Sequence, residues 1–358
     1  MTIDHPGIRC MLMRGGTSKG AFFLASDLPS DPASRDDLLL RVMGSPDPRQ
    51  IDGVGGAHPL TTKVAVVSPA ERGDVDLEYL FLQVGLDQAE VSDRQNCGNM
   101  LAAVGPFALE RGLISAADGL ATTRILLKNT GGLAVETFPV EDGRPVYAGE
   151  TEISGVPGTA AAILIEFEDV AGSSTGALLP TGNPVDMVAG IEATLIDNGM
   201  PVVVMRAADL GVTGYESCTD LEANLALRQR LEEVRLAAGP LMNLGDVSQS
   251  TVPKLTLVAP PREGGVVCTR TFIPHRCHQA IGVLGAVTVA TACHIAGSPA
   301  AEVAQLPADA ETVRIEHPTG SFDAHVRIGP NEPFAIVGAG IIRTARKLMD
   351  GTVYPRSY

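Results

Sequence analysis

Tryptophan is absent from the 358 residues and aromatics make up only 4 % of them, so the cores must be aliphatic, built from Val, Leu, Ile and Ala. Basic residues are scarce too: 27 Lys and Arg face 42 Asp and Glu, a formal net charge of −15. Phosphate contacts need clustered cations, so no nucleic-acid partner is expected. No apolar run reaches the ~18 residues of a membrane helix, so no membrane partner is expected either. The segment MTIDHPGIRCMLMRGG has no basic start followed by an apolar stretch, and no secretory leader is read there. The six cysteines, Cys10, Cys97, Cys218, Cys268, Cys277 and Cys293, contain no CxxC pair. Free thiols, no zinc ribbon and a reducing cytoplasm follow as expectations.

What is abundant is glycine, at 39, and proline, at 25, which implies many tight turns and a β-rich or mixed architecture. The length exceeds what one core normally serves, so two domains are expected. GIRCMLMRGG and GAFFLASDLP read as two strands joined by a Gly turn, and DPASRDDLLLRVMG as a helix capped by Asp31 or Ser34 and stopped by Gly44. TTKVAVVSP and VDLEYLFLQVGL read as strands. QNCGNMLAAVGPFALERG then predicts an apolar helix from residue 97 to about 111. The stretch 122–149 reads as a strand, a Gly-Gly turn, a strand and an Asp-Gly loop.

The second half repeats this grammar. Strands surround the Asn-Gly turn at 198–199, and one amphipathic helix is predicted over 220–246. PKLTLVAPP and GGVVCTRTFIP read as strands, and HRCHQAIGVLGAVTVATACHIAG as a second buried helix from 279 to about 295. A hairpin around HPTGSF and a closing strand over 333–355 complete the chain. Cys97 and Gly105 are spaced as Cys277 and Gly285 are, a match that chance produces more often than duplication does. A helix apolar on all sides must be surrounded. Two domains are therefore expected, each a sheet curled around a central helix, facing each other across a cleft.

Several stretches carry candidate chemistry, each beside a plainer reading. MRGGTSKG places Arg14 and Lys19 around Gly16, Thr17 and Ser18. It lacks P-loop spacing and suits a carboxylate cradle, or else a turn with solvated charges. Lys63 leads an apolar strand; desolvation would make it a usable base, or it snorkels at a sheet edge. Cys97, with Gly98 and Asn99, sits where a helix start favours thiolates and anions, although most free cysteines are small buried hydrophobes. Arg270, His275, Arg276, Cys277 and His278 form the densest cationic cluster in this acidic chain. Adjacent residues cannot all face one ion, so no metal is expected. Asn183, Asn198 and Gly199 lie on turns whose amides face a ligand or merely close hairpins.

LMRGGTSKGAFF, IDGVGGAHPLTTKVAVV, QNCGNMLAAVGPFALERG and PHRCHQAIGVLGAV together resemble the PrpF-like isomerases, from about residue 8 to 350. Within them the chain looks most like the 4-oxalomesaconate tautomerases and isomerases of gallate, protocatechuate and lignin-fragment breakdown. The resemblance implies an α/β (α+β) fold similar to diaminopimelate epimerase, with two pseudo-symmetric domains. These would be residues 1–183, with 342–358 returning to them, and 184–341, the active site lying in the cleft. The epimerase uses two helix-start cysteines as acid and base. Here RCHQ departs from that pattern, leaving open whether Cys277 or His278 faces the cleft.

The resemblance points to Lys63 and Cys97 as the proton-transfer pair, with Cys97 either the acid or a group that orients substrate. Arg14, Gly16, Thr17, Ser18, Gly98, Asn99, Asn183, Asn198, Gly199, Arg270, Arg276 and His278 would bind a small tricarboxylate. No cofactor is implied, and a homodimer is the assembly expected. A 2-methylaconitate isomerase or related epimerase is the alternative enzyme. A non-catalytic polycarboxylate-binding protein is the alternative of another class.

Overall fold

The computed structural model describes residues 7–307, 310–329 and 336–357. The chain forms two compact units, Met1–Ile165 with Ile342–Tyr358, and Glu166–Ile341. The first boundary thus falls earlier than residue 183. The Gly-rich stretch before 183 goes with unit 2 because Asp197 holds it: its carboxylate accepts from the Ser174 and Thr175 N–H groups at 2.9 and 3.1 Å.

Unit 1 contains β1 (Ile8–Gly15), β2 (Ser18–Leu24), α1 (Pro32–Met43), β3 (Lys63–Pro69), β4 (Leu77–Val84), β5 (Val91–Ser92), α2 (Gly98–Leu101), α3 (Val104–Glu110), β6 (Gly119–Leu127), β7 (Gly132–Glu141) and β8 (Arg144–Pro145). β9 (Ile163–Glu168) carries the boundary. Unit 2 contains β10 (Asp186–Val188), β11 (Ile191–Asp197), β12 (Pro201–Arg206), α4 (Cys218–Ala223), α5 (Leu225–Leu241), β13 (Lys254–Ala259), β14 (Val267–Phe272), α6 (Val283–Cys293), α7 (Pro299–Val303), β15 (Thr312–His317) and β16 (Gly320–Ile328). The chain leaves unit 2 within β17 (Ile336–Arg343) and ends in β18 (Ala345–Val353), which pairs with β1.

The two units share one connectivity. In unit 1, β1–β2 is antiparallel, β2–β3 parallel across α1, β3–β4 antiparallel, β4–β6 parallel across α2 and α3, and β6–β7 antiparallel. In unit 2 the same sequence of pairings runs β11–β12, β12–β13 across α4 and α5, β13–β14, β14–β15 across α6 and α7, and β15–β16. Each unit thus has an outer helix on one face of its sheet and an apolar helix on the other.

Strand alternation decides which side chains meet which helix. Val64 and Val66 of β3 pack with Leu38, Leu39 and Val42 of α1, so Lys63 and Ala65 face the other way. In unit 2, Leu255 and Leu257 pack with Leu227, Leu231 and Val234 of α5. Val258 joins Ala286, Val289 and Ala290 of α6, along with strand residues from Ile196 to Val326. The sheet of unit 2 therefore lines α6 with aliphatic side chains, as the composition demanded.

Several local expectations change. The first apolar helix is two pieces, with Ala102 closing α2 and Ala103 opening α3. Pro106 is the cause: its ring excludes the carbonyl four residues back, that of Ala102. The second apolar helix starts at Val283 after Gly282, not at 279. The 220–246 helix divides at Asn224, whose side chain accepts from the Leu227 N–H at 3.0 Å and caps α5. The closing strand is two, β17 and β18, and its residues 333–335 lie outside those described. The α1 cap is Asp31, which accepts from the Ser34 N–H at 2.8 Å, with Pro32 at the first turn and Gly44 left-handed at φ 78°.

Candidate active site

Lys63 opens β3 and is 7 % exposed. Its Nζ donates to Gln83 Oε1 at 2.7 Å and lies 4.9 Å from the centre of the Phe81 ring. Gln83 is the direct ladder partner of Lys63. Its own amide nitrogen donates to the Thr62 carbonyl at 3.0 Å, which fixes the orientation of the acceptor. No carboxylate among the described residues is within ion-pair distance of Lys63. Tyr79, Phe81 and Gln83 alternate along β4 and so share a face. Tyr79 Oη donates to the Cys97 carbonyl at 3.3 Å, which brings the start of α2 to the face that holds Lys63. Burial, and then Cys97 and Glu136, push the Tyr79 phenol well above its usual range, so it is a fixed donor.

Cys97 is the residue before α2 and the one half-buried cysteine; the other five are buried. Two glycines let α2 approach the β1–β2 turn. A Cβ on Gly15 would meet the Asn99 carbonyl at 2.3 Å, and one on Gly16 would meet Asn99 Oδ1 at 2.2 Å; Gly16 is also left-handed, at φ 50°. In that space Asn99 Nδ2 donates to Thr17 Oγ1 at 3.1 Å, and Asn99 Oδ1 accepts from Arg343 Nε at 3.2 Å. Gly20 does the same for the lysine strand, its missing Cβ lying 2.4 Å from the Lys63 carbonyl and 2.5 Å from Met100 Cε. Ser18 is 1 % exposed, and its hydroxyl has no hydrogen-bond partner among the described residues. An orphaned buried hydroxyl is costly unless a ligand completes it.

The structure therefore gathers Lys63, Cys97, Gly98, Asn99, Gly16, Thr17 and Ser18 in unit 1. Arg14 belongs to the frame of the turn: its Nη1 donates to the Gly16 and Thr344 carbonyls at 2.8 and 3.0 Å. Sequence reasoning missed Gln83, Tyr79 and Arg343. The alternation of polar tips at 79 and 83 on a buried strand was a usable signal; Arg343, remote in sequence, offered none.

The unit 2 candidates scatter. Arg270 lies opposite Leu257 in the ladder and so faces the α4–α5 side, where Nε donates to the Glu216 carbonyl at 2.7 Å. Cys277 sits in a bridge with Phe272, well before α6, and its thiol joins the same α5-side cluster. Burial, and then Cys218, push the Cys277 thiol well up. Arg276 is an exposed partner of Glu222 at 2.8 Å. His278 is half-buried, and its Nδ1 accepts from the Ala280 N–H at 2.9 Å. Burial, and then Lys254, hold it below the usual histidine range. Asn198 is buried and its amide donates to Thr291 Oγ1 of α6 at 2.8 Å. Asn183 closes a turn on Asp186 at 2.9 Å, and Gly199 is left-handed at φ 88°.

Residues 6–356 match the family described as PrpF protein, and the chain belongs to that family. It is 61 % identical over 346 residues, 96 % of each chain, to (4E)-oxalomesaconate Delta-isomerase of Novosphingobium sp. (strain KA1). It is 58 % identical over 347 residues, 97 % of this chain and 95 % of the other, to 4-oxalomesaconate tautomerase of Pseudomonas putida. Among solved structures, methylitaconate-delta-isomerase superposes with a TM-score of 0.88 at 34 % identity, covering 98 % of this chain and 95 % of that one. The α+β class expected from the sequence is the class observed.

Proposed function

We propose that this chain is a cofactor-independent isomerase that moves a proton along the keto–enol or allylic system of 4-oxalomesaconate. The high identity to relatives named for that substrate supports the reading. The observation that carries it is Lys63, nearly buried and held, among the described residues, by a neutral amide and an aromatic face. A lysine locked in an ion pair is a structural cation, whereas one with neutral partners is available to exchange a proton with a ligand.

In its neutral form Lys63 takes the proton from the carbon acidified by the neighbouring carbonyl. The electron pair left behind spreads into a dienolate, which needs donors fixed in advance. The Ser18 hydroxyl, which has no hydrogen-bond partner among the described residues, and the Asn99 amide would supply them, and Arg343 beside Asn99 would add a cation for a carboxylate. The proton then returns to the far end of the system from Cys97, or from Lys63 with Cys97 orienting the substrate. The test is a proton NMR time course of 4-oxalomesaconate in deuterated buffer. Wild type should exchange the acidic C–H and form product. A chain that binds the compound without exchange would be a binding protein instead.

A further inference from the structure

Unit 2 holds a cavity of about 490 Å³, lined by Tyr215, Arg262, Cys268, Arg270, Glu316 and His317 among others. All its lining residues belong to that unit. Its floor is the outer face of the sheet. Arg270 lies opposite Leu257, which packs on α5, and Cys268, two residues back on the same face, lies opposite Glu316. The volume is that of a site for a small molecule.

Arg270 is 7 % exposed. Its Nε donates to the Glu216 carbonyl at 2.7 Å and its Nη1 to the Thr269 carbonyl at 2.8 Å. Nη2 has no hydrogen-bond partner among the described residues. Neutral carbonyls thus fix the fork of Arg270 without cancelling its charge. Arg262 joins it from the loop after β13. The Arg262 guanidinium carbon lies 3.3 Å from the centre of the Tyr215 ring, and Tyr215 Oη donates to the Pro260 carbonyl at 2.9 Å. The ring therefore holds this second guanidinium against the loop.

The buried carboxylate of the lining is already committed. Glu316, 4 % exposed, accepts from the N–H groups of Arg262, Glu263 and Gly265 at 2.8, 2.6 and 2.9 Å, which ties the loop to β15. Glu263 itself is exposed. No carboxylate among the described residues is within ion-pair distance of Arg262 or Arg270. Arg276 and Arg314 of the same unit, by contrast, pair with Glu222 and Asp323 at 2.8 Å each. A desolvated guanidinium without a counter-charge is costly, and here two of them line one cavity in a chain of net charge −15.

We propose that this cavity is a binding site for a small oxyanion, held by Arg270 at the floor and Arg262 at the rim. Two sources share that chemistry, a carboxylate and a phosphate, because a guanidinium fork matches the oxygens of either. The site does not depend on the function proposed above: no residue around Lys63 enters it, and it is tested without 4-oxalomesaconate.

Full-length wild type, Arg262→Ala and Arg270→Gln are titrated calorimetrically with inorganic phosphate and with succinate. Wild type should bind at least one probe, and each substitution should weaken that binding by about 10- to 100-fold. Binding of succinate alone assigns the site to carboxylates, binding of phosphate alone to phosphates, and binding of both to oxyanions in general. Failure of wild type to bind either probe overturns the proposal. Binding that both variants retain at wild-type strength lies elsewhere on the chain and overturns it equally. Arg270 is buried, so should Arg270→Gln not fold, Arg262→Ala at the exposed rim decides by the same criterion.

Discussion

The two apolar helices start from similar sequence and end as different objects. In unit 1 the segment breaks at Ala102–Ala103, and Cys97 stands immediately before its first piece. In unit 2 α6 is continuous, begins at Val283, and leaves Cys277 behind on the outer side of the sheet. Each is fastened by a polar side chain from outside it, Glu136 of β7 for α3 and Asn198, just after the end of β11, for α6. Glu136 of β7 accepts from the Gly105 N–H at 2.8 Å, capping α3 where Ala103 offers no side-chain acceptor. Asn198 donates to Thr291 at 2.8 Å, and its backbone N–H donates to Thr288 Oγ1 at 3.2 Å. A proline and an imported cap thus hold a short, thiol-bearing helix start against the Gly15–Gly16 turn, while threonines hold a long helix with no thiol at its head. Duplicated connectivity has kept the frame and let the chemistry of the two halves diverge.

The strongest way to break this comparison is at its chemical end. Lys63→Met should lower turnover by roughly 10²–10⁴-fold, the usual contribution of a positioned general base, with the fold retained. Exchange of the substrate C–H at the wild-type rate in that variant would remove Lys63 as the base.

The next effect concerns the acidic clip. Burial raises the Glu136 carboxyl to about 8, against the usual carboxylate range. The facing phenols of Tyr79 and Tyr147 are themselves pushed up and stay neutral. The folded state then holds a proton that the unfolded state has released between roughly pH 4.5 and 8. Stability should fall with rising pH across that window, by up to about 1.4 kcal/mol per unit, and flatten above it. Glu136→Gln keeps an acceptor and cannot ionise, so urea unfolding at pH 5.5 and 7.5 should show a smaller loss in the variant. Identical slopes would mean that Glu136 is already ionised in the fold.

For the neutral clip, Asn198→Ala should cost about 1–3 kcal/mol, since it strips a buried hydrogen bond from α6. Asn183→Ala, on an exposed turn, should stay within about 0.5 kcal/mol of wild type by the same chemical denaturation. Smallest is the contrast between thiols. Iodoacetamide should alkylate Cys97 about 10-fold faster than the buried Cys218 and Cys277, and 4-oxalomesaconate should protect it. Equal rates, or no protection, would remove the thiol from the site.

The sequence by itself determined the α+β class, the aliphatic cores, the strand that begins at Lys63 and the Gly-Gly turn beside Thr17 and Ser18. These follow from composition, period and turn chemistry, which act over a few residues. It also held the cue for the broken helix, Pro106, which the apolar pattern around it masked. Only the tertiary structure decided that Gln83 and Phe81 hold the lysine amine, that Arg343 reaches Asn99, and that Asn198 clips a helix. Only strand pairing turned Arg270 and Cys277 toward α4 and α5. The reason is physical: in a strand, a side chain's parity chooses the face, and the helix that covers each face is set by pairings between residues far apart in the chain.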